Sequence, residues 1–441
     1  MLIALFALTS CEKDKIDLLF DKKPEERMLE KNAELKSKLL EAPNGWKAVL
    51  RTSLRGGGYG FFIKFAENET VNMYSDWNAN SANNKRTSTY RVQYVMSSSL
   101  VFDSYNYITI MQDPNIAING GSTQGNGLQS DIEFEYLRST QDSIILRGKK
   151  YSNFLYLVKA TAQQEADFEA KKYITSITEI NNYLANVANK YVEVPFGGTT
   201  VKLGLNFNVP NKTVSALVQL PDNTVKSTTG GFGHNMNEVG FNGHLNILDI
   251  IFVGIKRTGA DSYVVIDNTG KEYPILSGPT PVVSATVLFE GGSVVATVPN
   301  VTTFPGWGAD FITRRAAVHT SLGGWNISGS PLTMGVMSFI DLNPVSKIFT
   351  LRINSPYGSA STNLDYQYRL VINEDGSYKF NYMTTLTGNA ATVIASTNAL
   401  LAQRINVDTF KLDYYTDPAT NVAYLRFSSI QNPTFVFTAN F

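Results

Sequence analysis

"WKAVLRTSLRGGGYGFFIKFAENETVNMYS" (46–75) decides what kind of fold this chain can adopt. Its apolar residues recur with a period of two, as in a strand whose successive side chains point to opposite faces. The stretch reads as strands at 46–53, 59–66 and 70–76, with "GGGYGF" (56–61) as a hairpin turn. That glycine run lacks the helix and lysine of a phosphate-binding loop.

The same period continues to Ala160, with strands expected at 89–96, 99–104, 106–112, 131–137, 143–149 and 153–159. Short connections rich in turn residues make neighbouring strands antiparallel. Before this region, Pro24-Glu25-Glu26 starts a helix, with proline at the first position and acids in the first turn. Met28, Leu35 and Leu39 share one face of it, and "APNGW" (42–46) stops it. Thr161 to Ala188 is helical again, and strands resume at 191–196, 200–209, 213–220, 246–256, 262–267 and 271–276. Each β region thus follows one amphipathic helix, and each carries a late strand opened by "DSII" (142–145) or "DSYV" (261–264). Together these suggest a degenerate tandem repeat.

"SGPTP" (277–281) reads as a linker to a last β-rich stretch. Its strands are expected near 282–289, 293–298, 335–342, 346–354, 364–373, 376–385, 408–416, 420–428 and 433–439, with one short helix at 389–405. The expected fold is mainly β with a few helices (α+β): antiparallel meander, barrel-like or sandwich domains over 24–160, 161–279 and 280–441.

Composition agrees with that reading. A chain of 441 residues is too long for one hydrophobic core. With 43% hydrophobic and 17% charged residues it is globular, and 22 Tyr and 25 Phe favour strands. The formal net charge of zero supplies no basic field for nucleic acid.

Cys11 is the only cysteine, so no intrachain disulfide can form. It follows seven consecutive apolar residues, Leu2 to Leu8, the length of a signal-peptide core and far short of a membrane span. Leu8-Thr9-Ser10-Cys11 looks like a bacterial lipobox, which makes residues 1–10 a lipoprotein signal peptide and 11–23 a lipidated tether. Each acyl methylene buried in a bilayer contributes about 0.8 kcal/mol, so two or three chains anchor a protein stably. No Lys or Arg precedes the apolar run, a departure from the usual signal-peptide plan.

Several stretches together resemble a known family: "LFDKKPEERM" (19–28), "APNGWKAVL" (42–50), "GGGYGFFIKF" (56–65), "MYSDW" (73–77), "STYRV" (88–92), "LVFDSYNYITIMQDP" (100–114) and "NFLYLVKA" (153–160). They look like the Bacteroidetes lipoprotein family called domain of unknown function 4302, best over residues 1–160. The resemblance implies an outer-membrane or periplasmic lipoprotein that accompanies TonB-dependent importers and SusD-like binding lipoproteins. It carries no catalytic residues.

The residues themselves offer few sites. "GGFGHNMNEVGFNGH" (230–244) holds His234, His244 and Glu238, but not at a zinc-protease spacing, and reads as a solvated loop. "SDWNANSANN" (75–84) begins like a calcium loop but has Ser81 and Thr87 where Gly and Glu are needed, so it reads as an exposed hairpin loop. In "DIEFEY" (131–136), Asp131, Glu133 and Glu135 form a solvent face over an apolar one. Trp77, Trp307 and Trp325 are the candidate ligand contacts, as rings among glycines or polar residues, with core plugs as the alternative. No catalytic, metal or cofactor motif appears.

The expected function is therefore non-catalytic capture of a glycan, peptide or chelated nutrient, with exposed aromatics at a concave or barrel-mouth pocket of a lipid-anchored, outward-facing protein. A surface hydrolase acting on imported glycan or peptide is one alternative, and a structural envelope protein or adhesin another. Radiolabelled palmitate is expected to enter the wild-type chain and not a Cys11→Ser variant, which should leave the membrane fraction. Equal fractionation of the two would remove the anchor.

Overall fold

Among the described residues, three large β-sheets, each closed or nearly closed on itself, carry the fold, with a two-stranded ribbon of Asn326–Ile327 and Ser330–Pro331 beside them. The structure, a computed structural model, describes residues 23–53, 57–292 and 295–441. Cys11 and the expected signal-peptide and tether residues 1–22 lie outside the described residues.

The first sheet is a closed eight-stranded antiparallel barrel between Trp46 and Lys159. Its first strand, Trp46–Arg51, pairs with both Gly58–Phe65 and Phe154–Lys159. Alternation sorts the side chains: Trp46, Ala48, Leu50, Phe61, Ile63 and Phe65 point into the core, while Lys47 and Lys64 point out. Eight strands leave an interior that side chains just fill. Leu35 and Leu39 of helix Pro24–Leu40 complete that core, and Trp46 Nε1 donates to Leu39 O at 2.8 Å.

The second sheet is a nine-stranded meander that starts at Lys190–Phe196. Its last two segments straddle the closure. Glu272–Pro274 pairs with the strand before it, and Leu276–Ser277 pairs back onto Lys190–Phe196. The third sheet has eight strands, from Ala296–Val298 to Val436–Ala439. Thr297 and Asn440 exchange both backbone hydrogen bonds at 2.8 Å, which joins its first edge to its last. Stacked phenylalanines fill it: Phe427 lies 5.2 Å from Phe339 and 4.8 Å from Phe437.

By their contacts, the residues group into two units. The first takes the chain up to Ile180 together with Asn211–Thr213 and Gly231–Gly243. The second takes Asn181–Pro210, Val214–Gly230 and His244–Phe441.

The returning pieces explain the glycines at 57, 58 and 60. Strands Val225–Asn235 and Glu238–Ile247 form a hairpin, and its Gly231–Asn235 end lies backbone to backbone on the barrel strand Gly58–Phe65. A Cβ on Gly60 would sit 1.6 Å from His234 O, and one on Gly233 would sit 2.5 Å from Gly60 N. No residue with a side chain fits at either place. The expectation of a solvated loop at 230–244 is corrected accordingly: the stretch is a hairpin whose apolar residues and glycines bury its tip against the barrel.

At this contact sits Asp76, fully buried. Its Oδ1 accepts from Gly60 N at 2.8 Å and Lys212 Nζ at 2.7 Å. Its Oδ2 accepts from His234 N at 2.7 Å and His234 Nδ1 at 3.1 Å. Burial alone would raise the Asp76 pKa, but Lys212 and His234 lower it overall. Burial lowers the Lys212 and His234 pKa values, against the pull of Asp76. Tyr173 closes the cluster by donating to His234 O at 2.6 Å. Next to it, the outward-facing Phe62 and Tyr74 are covered by Phe168, whose ring stacks 4.5 Å from Phe62. This gives helix Ala162–Glu169 its apolar seat.

Other local expectations change too. Residues 75–84 are not an open loop: Asn78 caps a short helix, Ala79–Asn83, by accepting from Ser81 N at 2.9 Å. Residues 109–112 form a 3-10 turn, not a strand, because Asn106 accepts from Ile108 N and Thr109 N, both at 2.9 Å. The apolar run at 282–289 is not a strand, because Ser284 caps helix Ala285–Glu290. Asp131 does not share the solvent face of its neighbours. It is buried and accepts from Lys150 N at 2.8 Å and Tyr151 N at 3.0 Å.

Gly60→Ala should destabilise the protein by about 3 kcal/mol or more, because the methyl displaces the His234 carbonyl and opens the Asp76 cluster. Gly388, first in helix Gly388–Thr397 with open space at its Cβ, is the control. Gly388→Ala should range from neutral to about 1 kcal/mol stabilising. Urea denaturation of both variants compares them directly. Equal midpoints would refute the close approach.

Candidate functional site

The second unit holds a cavity of about 550 Å³, within the usual range of small-ligand sites, roughly 300–1,000 Å³. Local causes shape it. Helix Tyr173–Asn186 ends, the chain turns at Asn189 with φ 44°, and Lys190 begins the next strand. Lys190 is thereby carried back under the helix end. Its Nζ donates to Leu184 O at 2.8 Å and to Val187 O. A cation at a helix C-terminus meets the negative end of the helix dipole and its unpaired carbonyls.

The opposite wall comes from the third sheet. Tyr414 donates its hydroxyl proton to Val283 O at 2.7 Å, and Thr416 donates to Pro279 O at 2.5 Å. The stretch around "SGPTP" is thus tied down along strand Thr409–Thr416. Val282 closes against Gly204, where a Cβ would come within 2.7 Å of it.

Among the described residues Lys190 is the sole charged side chain lining this otherwise mainly apolar cavity. Burial lowers its pKa to about 8, so the amine is still mostly an ammonium at neutral pH. An ammonium has three donors, and two are spent on the helix carbonyls. The third has no protein acceptor among the described residues, and the Phe207 ring lies 5.9 Å from Nζ. Asn186, Asn189 and Asn206 add neutral polar groups around it. The arrangement can hold a molecule with an apolar body and one anionic group.

The tryptophans divide differently. Trp307 is buried, donates from Nε1 to Thr438 O at 3.1 Å, and lies 5.0 Å from the Phe311 ring. It is a core residue. The glycines beside it are what allow this, since a Cβ on Gly308 would meet Thr434 O at 2.3 Å. Trp77 is half-buried and packs against the barrel core. Trp325 is 41% exposed, with its Nε1 given to Ser396 Oγ at 3.0 Å. The three do not converge on one site, and none lines the Lys190 cavity.

His234 faces Asp76 rather than a metal. Among the described residues no group of three His, Cys, Asp or Glu is placed to hold a metal ion. Glu133 and Glu135 pair with Lys149 and Arg147 across their strands. Among the described residues no helix is long and apolar enough to cross a membrane.

Lys190 was missed from sequence because nothing about it is unusual in type. The available signal was its place, right after a helix end and first in a strand.

Comparison with known proteins adds little chemistry. No curated protein matches the sequence. Among solved structures, one from Nostoc punctiforme PCC 73102, a protein with unknown function from the DUF3598 family, is 8% identical. The alignment covers 54% of this chain and 94% of that one at a TM-score of 0.15, too low to carry an argument. A family match extends over residues 17–258, past the barrel and through the returning segments Asn211–Thr213 and Gly231–Gly243. On that match, which spans more than half its length, the chain belongs to the family described as a domain of unknown function (DUF4302).

Proposed function

We propose that this chain is a non-catalytic ligand-capture lipoprotein, held on the outer membrane by lipidated Cys11 and facing outward. It works beside a TonB-dependent importer and a SusD-like lipoprotein, delivering a nutrient to them. The observation that carries the capture role is the Lys190 cavity, with its size, apolar walls and single ammonium. The lipobox at Leu8–Cys11 and the quoted family stretches support the setting. An acid-bearing molecule with an apolar body, such as a peptide end or a carboxylated chelate, suits the cavity better than an uncharged glycan.

Soluble protein starting at Lys13 should bind members of a panel of peptides, carboxylated chelates and glycans in calorimetry, without turning them over. Lys190→Met should weaken a carboxylate ligand about tenfold, the worth of one charge-assisted hydrogen bond. In an NMR titration of labelled lysines, one amine should titrate near pH 8. A bound anion favours the charged form, so it should raise that midpoint, and affinity should fall as pH rises through it. Turnover of any panel member, or binding indifferent to Lys190→Met, would overturn the reading.

A further inference from the structure

A second, smaller cleft lies on the third sheet and shares no lining residue with the Lys190 cavity. Its floor is strands Ala360–Ile372 and Tyr378–Thr385, and its wall is helix Gly388–Thr397 with the π-helical turn Leu401–Ile405. Tyr366, Tyr368 and Tyr382 line it, with Asn398 and Asn406. Its volume is about 180 Å³, the share of about six liquid waters. That is room for one ring-sized molecule.

The tyrosines are brought together by an irregularity. Pairing between the two strands slips between Gln367 and Tyr368, so Tyr366 faces Thr385 while Tyr368 faces Tyr382. Such bulges re-aim side chains, and they recur beside functional sites, as do π turns. The Tyr368 and Tyr382 rings meet edge to face at 5.7 Å.

Their hydroxyls are left over. The Tyr366 hydroxyl is fully buried and makes no well-formed hydrogen bond. The Thr397 hydroxyl stands beside it outside good hydrogen-bond geometry, and since its own proton goes to Ile394 O at 2.8 Å, only its oxygen faces the phenol. The Tyr368 and Tyr382 hydroxyls have no protein partner among the described residues. Asn406 Oδ1 accepts from Tyr382 N at 2.8 Å, which leaves its NH₂ without a partner in the cleft wall. A buried polar group without a partner is costly, and native proteins rarely keep one without a use. Burial pushes the Tyr366 pKa up to about 12, so the phenol stays a neutral donor.

We propose that this cleft binds one neutral, hydroxyl-rich ring, a pyranose residue. No charged side chain lines it, which selects against ions. Phenols and carboxamides both donate and accept, and that matches a ligand whose every polar group does the same. The tyrosine ring faces with Ile394, Leu401 and Ala402 give apolar surface for the C–H faces of such a ring. Tyr382, 38% exposed, stands at the mouth. The proposal goes beyond the capture role assigned to the Lys190 cavity and does not depend on it.

The test is saturation-transfer NMR on the soluble chain from Lys13, with methyl pyranosides at millimolar concentration and nicotinamide as a flat, aromatic competitor. A pyranoside should receive saturation, Tyr366→Phe should weaken it about five- to tenfold, and Tyr382→Ala should abolish it. Lys190→Met should leave it unchanged. Without ligand, Tyr366→Phe should melt no lower than wild type, because only an unpartnered hydroxyl is removed. Three results would each overturn the proposal: no pyranoside bound, preference for nicotinamide, or a Tyr366→Phe protein that melts lower.

Discussion

Asp76 holds the first unit together through one saturated carboxylate. An ionised carboxylate offers about four acceptor sites. Here all four are used, by Gly60 N, Lys212 Nζ, His234 N and His234 Nδ1. Three stretches far apart in the chain are therefore fixed at one point. The cost of burying the Lys212 and Asp76 charges is offset only while every partner stays in place, and losing one leaves an uncompensated charge. The same point demands glycine at 60 and 233, because the backbones themselves must touch.

Much of the fold could be read along the chain. Barrel strands such as Ser143–Gly148 alternate cleanly because one face meets the core and the other does not. The helix at Pro24 has its start signal in proline and two acids. The "DSII" and "DSYV" stretches each open the seventh strand of their sheet. What misled was local polarity. The 230–244 stretch looks like a loop because glycine and asparagine fill it, yet those glycines serve a backbone contact with residues 57–60. Apolar runs at 106–112 and 282–289 look like strands until Asn106 and Ser284 turn their backbones. Such long-range partners and capping bonds leave no periodic trace.

The candidate sites were less legible than the fold. Tryptophan type drew attention to Trp307, which glycines allow to be swallowed by the core. The Lys190 cavity is assembled from a helix end, the second sheet and the third sheet, so no single stretch announces it. The tyrosine cleft left a faint mark, the pair Tyr366 and Tyr368 two apart on the inward face of one strand. A phenol on a core face needs a partner, and that need is a usable signal.

The first unit's discontinuity has a consequence for how the chain is made. A ribosome has released every barrel strand once Lys159 is out, yet Asp76 still lacks Lys212 and His234. Until the hairpin at 225–247 emerges, the acid sits in a half-built wall with Gly58–Phe65 uncovered. Final closure of the barrel's flank thus waits on later synthesis. The nascent chain passes through a stage at which a chaperone still has something to hold.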